Sequence, residues 1–171
     1  MKNHQMIVVA GLAFLMAAVP VLRGSQTDPE ALIIRARAVV LTPGPPDGTI
    51  TKALVDALDA SLLIMPKTDY AEEWRSRIES VKKMFSEGAL LSKKGYQELA
   101  LAYKLTTGGR AWQIPAELKA SGPGKKGIEK AVEICAGLLD SALAEHKAGR
   151  NEQAVSRLLD FVILVVTPIE A

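Results

Sequence analysis

After the first two dozen residues, apolar positions recur three and four apart through most of the chain, and that spacing predicts helices rather than strands. Leu32, Ile33, Ala36, Val39 and Val40 share one side of a segment that Asp28 can cap and Pro29 can open, and TPGPPDG ends it. A second stripe, Ile50, Ala53, Leu54, Ala57, Leu58, Ser61 and Leu62, predicts a helix from about Thr49 to Met65 with Pro66 as its stop. Asp69 and Glu72 have capping-box spacing and open a third, whose Tyr70, Trp74, Ile78, Val81 and Phe85 form a single face. The fourth runs from about Ser92 to Thr107, aligns Tyr96, Leu99, Ala100 and Tyr103, and ends at Gly108 and Gly109. A fifth, from about Ile128 to Lys147, carries Ile128, Ala131, Val132, Cys135, Leu138, Leu139 and Ala142.

The run FVILVV, residues 161 to 166, taken alone favours a strand, because it holds three valines and an isoleucine. Its approach argues otherwise. Ala154, Val155, Leu158, Leu159 and Val162 already carry a helical period from an Asn151 cap, with Glu152, Gln153, Ser156, Arg157 and Asp160 on the opposite face. No glycine or proline separates the two stretches, so the sixth helix extends to about Val166 and Pro168 ends it. It is amphipathic in its first half and apolar all round in its second, which places that end in a core; a docking surface or a terminal strand are the other readings. Residues 128 to 166 resemble one helical hairpin of the tetratricopeptide-like repeats in their KAGRNEQA turn. No second copy follows at the period of about 34 residues and the tryptophan-leucine-glycine-tyrosine signature is missing, so the likeness covers a single hairpin and names no family.

The pattern fails over GGRAWQIPAELKASGPGKKG, between Gly108 and Gly127. Its glycines and prolines keep the chain irregular, with one or two helical turns at IPAELKA. Loops of this length in compact domains are commonly functional or disordered.

The leader alters the charge balance. Lys2 precedes an uncharged stretch, His4 to Leu22, that ends at Arg23, which is the layout of an export signal. It falls a little short of the about 20 apolar residues of a relaxed membrane span. Residues 1–24 are thus read as a signal peptide or signal anchor, with cleavage after Ala17, Ala18 or Gly24, or none, and residues 25–171 as the folded domain. Without Lys2 and Arg23 the 21 basic residues become 19, equal to the 19 acidic ones. That balance argues against a nucleic-acid partner, which needs clustered positive charge. Cys135 is the only cysteine, so the domain is held by its core and not by disulfides.

Reactive groups are few. His4 lies in the leader, and His146 sits near a helix C-terminus, where the helix dipole favours it. Cys135 falls on an apolar stripe. There is no CxxCH for haem, no HExxH for zinc and no Glu-x-x-His pair for a di-metal bundle, so no metal or cofactor is expected. Asp56, Asp59, Glu129 and Glu133 read as solvated acidic faces, without calcium-loop spacing, the alternative being an oxygen-ligand site built across helices. Weak candidates for ligand or anion binding are Lys125 and Lys126 in GPGKKG, where cations oppose a helix dipole that an anion would favour, together with Arg110 beside Trp112. Trp112 reads equally as a lid over the core.

The expectation is an all-α bundle of five or six helices after an export signal, periplasmic or extracellular, or else anchored in the membrane by its N-terminal segment. A non-enzymatic binding or scaffolding role, toward a protein partner or a small apolar ligand, fits the missing reactive groups. The alternative is a small extracytoplasmic enzyme using carboxylates from different helices.

Overall fold

The computed structural model describes residues 28–44, 47–65, 69–87, 93–122 and 124–167. The proposed leader lies outside them. Seven helices and no strand occur among the described residues: α1 (Pro29–Val40), α2 (Asp47–Ile64), α3 (Asp69–Ser86), α4 (Lys93–Thr106), α5 (Ala116–Ser121), α6 (Lys125–Lys147) and α7 (Asn151–Val166). Six are the helices that the apolar periodicity predicts, and α5 is the turn or two at IPAELKA. None among the described residues is long and apolar enough to cross a membrane.

The packing pairs define a two-by-three array. One row is α1, α2, α3 and the other is α6, α7, α4; each helix touches its neighbour in the row and the one facing it across the rows. Two four-helix rings result, and α2 and α7 are the wall they share. Burial follows this placement. α1 buries Leu32, Ile33 and Ala36, and α3 buries Ala71, Trp74, Ile78, Val81 and Phe85, each a single stripe. In the shared wall, α2 buries Asp56, Ala57 and Leu58 in succession, and α7 buries Phe161, Val162, Ile163 and Leu164. Successive helical residues turn by about 100°, so four in a row cover most of the circumference. FVILVV is therefore helical, and apolar all round at its start because neighbours surround it.

Charged side chains clamp the rims. Asp56, with 9% of its side chain exposed, accepts two hydrogen bonds from Arg35 of α1 at 3.2 and 3.0 Å. Arg37 pairs with Asp140 between α1 and α6, and Lys82 with Asp59 between α3 and α2 at 2.7 Å. Arg77 of α3 bridges Glu73 of its own helix and Glu98 of α4, both at 2.6 Å. Arg75 acts on the main chain instead. It donates to the carbonyls of Leu62 and Met65 at 2.9 and 2.8 Å, closing the end of α2, whose last turn lacks a basic residue of its own.

Helix boundaries shift by a few residues from the sequence reading. α2 begins two residues earlier and α6 three residues earlier, at Lys125. Asn151 is not the cap of α7. Arg150 occupies that position, while Asn151 is the first helical residue and its amide oxygen lies 3.1 Å from His146 Nδ1. The α6–α7 turn is closed by Gly149 at φ +75, with Arg150 N–H donating to the Glu145 carbonyl at 2.9 Å, a helix-ending motif that suits glycine. The long irregular segment has a topological cause. α4 and α6 are the two ends of one row with α7 between them, so the chain must cross about two helix spacings, roughly 16–20 Å.

Candidate functional site

The polar face of α7 becomes one wall of a groove. Glu152, Gln153, Ser156, Arg157 and Asp160 repeat at helical spacing, and the C-terminal end of α4 stands opposite with Tyr103, Thr106 and Thr107, followed by Gly108 and Arg110. The space between them is about 410 Å³ and open to solvent. Thr106 and Thr107 donate their hydroxyls back to the Tyr103 carbonyl at 2.9 and 2.8 Å, which holds both side chains against the end of α4. This back-bonding is a usual habit of threonine in a helix.

At the inner end the Tyr103 hydroxyl hydrogen-bonds to the Asp160 carboxylate. Arg157 Nη1 lies 3.5 Å from Asp160 Oδ2, and only 14% of the Asp160 side chain is exposed. Burial pushes the Asp160 carboxyl above its usual range, while Tyr103 and Arg157 pull it back. The Tyr103 phenol is pushed up to about 12, first by burial and then by the charge of Asp160 and the hydrogen bond to it, against the pull of Arg110 and Arg157. The groove thus offers a phenol that stays neutral, a carboxyl held above its ordinary pKa and two guanidinium groups. It can bind polar groups from several directions at once.

The residues singled out in the sequence are not gathered here. Arg110 lies on the groove wall, but Trp112, Lys125 and Lys126 do not line it. Trp112 is half-buried and packs against the core. Lys125 is 89% exposed and lies 3.8 Å from Glu129, and Lys126 is also exposed. Gly127 of GPGKKG has a packing reason of its own. A Cβ on Gly127 would sit 1.8 Å from the Gly122 carbonyl oxygen, so the loop can press onto the first turn of α6 only where that residue is glycine.

Other groups fall into structural places. Cys135 is buried, and burial pushes its thiol up to about 12, far from a reactive thiolate. Asp59, Glu129 and Glu133 each face a lysine. No group of three His, Cys, Asp or Glu that could hold a metal ion occurs among the described residues. A second, shallower depression of about 370 Å³ lies on the other side of α4, where Leu101 and Leu105 sit beside Lys104, Glu73 and Arg77.

The α4/α7 groove is not visible in the sequence, because a polar helix face has the same pattern whether it meets bulk water or lines a cleft. One signal was present: five polar residues share a helix with the most apolar run outside the leader. No protein-family model matches this chain, and comparison with curated proteins and with solved structures likewise gives no significant match.

Proposed function

We propose that the protein is an extracytoplasmic, non-enzymatic binding domain that holds a polar ligand in the groove between α4 and α7. The observation that carries this reading is the placement of the polar stripe. α7 belongs to both rings of the bundle, yet from Glu152 to Asp160 it keeps five polar residues facing a hollow of about 410 Å³, a volume within the about 300–1,000 Å³ range of small-molecule sites. The polar lining favours a polar ligand over the apolar one expected from sequence. The export layout of residues 1–24 supports the location. Amino-terminal sequencing of the protein from its native host tests it: a mature chain starting near residue 18, 19 or 25 is the expected result, and a soluble cytoplasmic chain with an intact leader is the refuting one.

Native mass spectrometry of the protein recovered from its own compartment tests the binding role. The expected spectrum shows a retained small molecule that is lost from a folded Arg157→Ala variant. A ligand-free protein found in a stable complex with another polypeptide would favour scaffolding instead. A catalytic reading draws on the raised Asp160 carboxyl beside Tyr103, which could serve as a general acid. Glu152 and Asp160, the two carboxylates of the groove, come from one helix and not from different ones. Turnover of a bound ligand by the wild type and not by Asp160→Asn would replace the binding reading with this one.

A further inference from the structure

We propose that the groove takes a net-neutral, polyhydroxylated ligand, a sugar ring or short oligosaccharide; this rests on the reading of the α4/α7 groove as the ligand site. Charge balance is the first argument. Arg110 and Arg157 are matched by Glu152 and Asp160 within the same walls, so a phosphate would meet two carboxylates and an ammonium two guanidinium groups. A cleft lined by mixed signs focuses no field for either ion.

The second argument is the kind of hydrogen bond on offer. A sugar hydroxyl donates and accepts at once, and a carboxylate beside a guanidinium answers both needs. Arg157 Nη1 and Asp160 Oδ2 are 3.5 Å apart, longer than the about 2.7–2.9 Å of a tight charge-assisted bond, so a ligand hydroxyl can engage both without first breaking a close ion pair. Thr106 and Thr107 spend their protons on the Tyr103 carbonyl, and Tyr103 spends its own on Asp160. All three therefore present oxygen lone pairs, which accept from ligand hydroxyls.

Shape agrees with this chemistry. The stripe from Glu152 to Asp160 covers eight helical steps, about 12 Å along the axis, and the groove stays open, as an extended chain of rings requires. Tyr103 lines the groove while its half-buried ring packs against the core, so that residue is anchored for a ligand to meet. An extended peptide would instead need pockets for apolar side chains or a free strand edge. Among the described residues, the groove walls hold no aliphatic side chain larger than the threonine methyls.

The test is a titration of the isotopically labelled full chain followed by amide chemical shifts. The probes are maltotriose, cellotriose and tri-N-acetylchitotriose, with inorganic phosphate and triglycine alongside. Saturable shifts confined to residues 103–110 and 152–160 are expected from at least one saccharide, with an affinity that does not change between about 0.02 and 0.5 M salt. Gln153→Ala and Asp160→Asn should each weaken it about tenfold. Shifts in those residues with phosphate or triglycine, while all saccharides are silent, would overturn the sugar and leave the groove as a binding site. Silence from every probe together with a ligand-free native mass spectrum would overturn both.

Discussion

Replacing Val162 with aspartate measures how far the middle of α7 is shielded. Val162 is 0% exposed, with Phe161 and Ile163 at 1% on either side. Losing the buried side chain costs about 1.5–3 kcal/mol. The new acid ionises near pH 3.9 in the unfolded chain, whereas a site without water or a partner raises a carboxyl to about 8. At pH 7 the folded state must keep it neutral across roughly three pH units, at about 1.36 kcal/mol each, or about 4 kcal/mol. The total, about 6 kcal/mol, rivals the entire stability of a typical domain, about 5–15 kcal/mol. Because the folded pKa is raised, the ionisation cost is absent below about pH 4 and grows as pH rises toward the folded value. Urea unfolding followed by circular dichroism at acid and neutral pH, with light scattering, reads both parts. The variant should lie about 2–3 kcal/mol below wild type at acid pH and about 6 at neutral pH. An unchanged urea midpoint accompanied by loss of a wild-type oligomer would show that this wall of α7 is an interface, and a loss independent of pH would show that water reaches it.

Arg75→Ala should lower stability by about 1–3 kcal/mol, since it strips two carbonyls at the end of α2 of their donors, with Arg75→Lys recovering part of the loss in the same urea titration. Gly127→Ala forces the Gly122 carbonyl away and should cost about 1–3 kcal/mol; Gly124→Ala, where a Cβ meets nothing within 4 Å, is the matched control and should melt close to wild type. Ultraviolet titration should show the Tyr103 phenol ionising at about 12, with its stabilising contribution complete below pH 10 and lost as pH rises through 12. Asp160→Asn should bring that phenol down toward but not to 10, because burial is the larger cause and the Asp160 charge the second; an unmoved phenol would place Asp160 away from it. The raised Asp160 carboxyl likewise contributes stability that is complete below its unfolded pKa, about 3.9, and is lost as pH rises through its folded value, so the Asn variant should show a flatter stability profile there.

Helix content was legible in the sequence because period and end signals are local. Asp28 accepts from Glu30 N–H as a cap should, and the face of α3 holds Trp74, Ile78, Val81 and Phe85 in the core. What stayed illegible is decided between helices far apart in the chain. Nothing near Arg75 shows that its guanidinium ends the preceding helix, and nothing near Ser156 shows that Thr107 stands opposite. The α4–α6 segment looked irregular because its sequence is irregular, while its length follows from a crossing that only the array reveals. In the sequence Arg110 stands out for its tryptophan neighbour, but it lies on the groove wall for another reason: it comes four residues after the end of α4, once the chain has turned at Gly108 and Gly109.

The shared wall also sets the order of assembly. α2 is made early, but its partner across the rows, α7, is the last of the described helices to emerge from a ribosome or through a pore taken N-terminus first. Hairpins such as α1–α2 and α3–α4 can form beforehand, yet each leaves apolar surface that only α7 covers, and isolated helices of this length are marginal in water. Neither ring can close until residues 151–166 arrive. The emerging chain therefore stays open for most of its synthesis and becomes a single cooperative unit near the end of it.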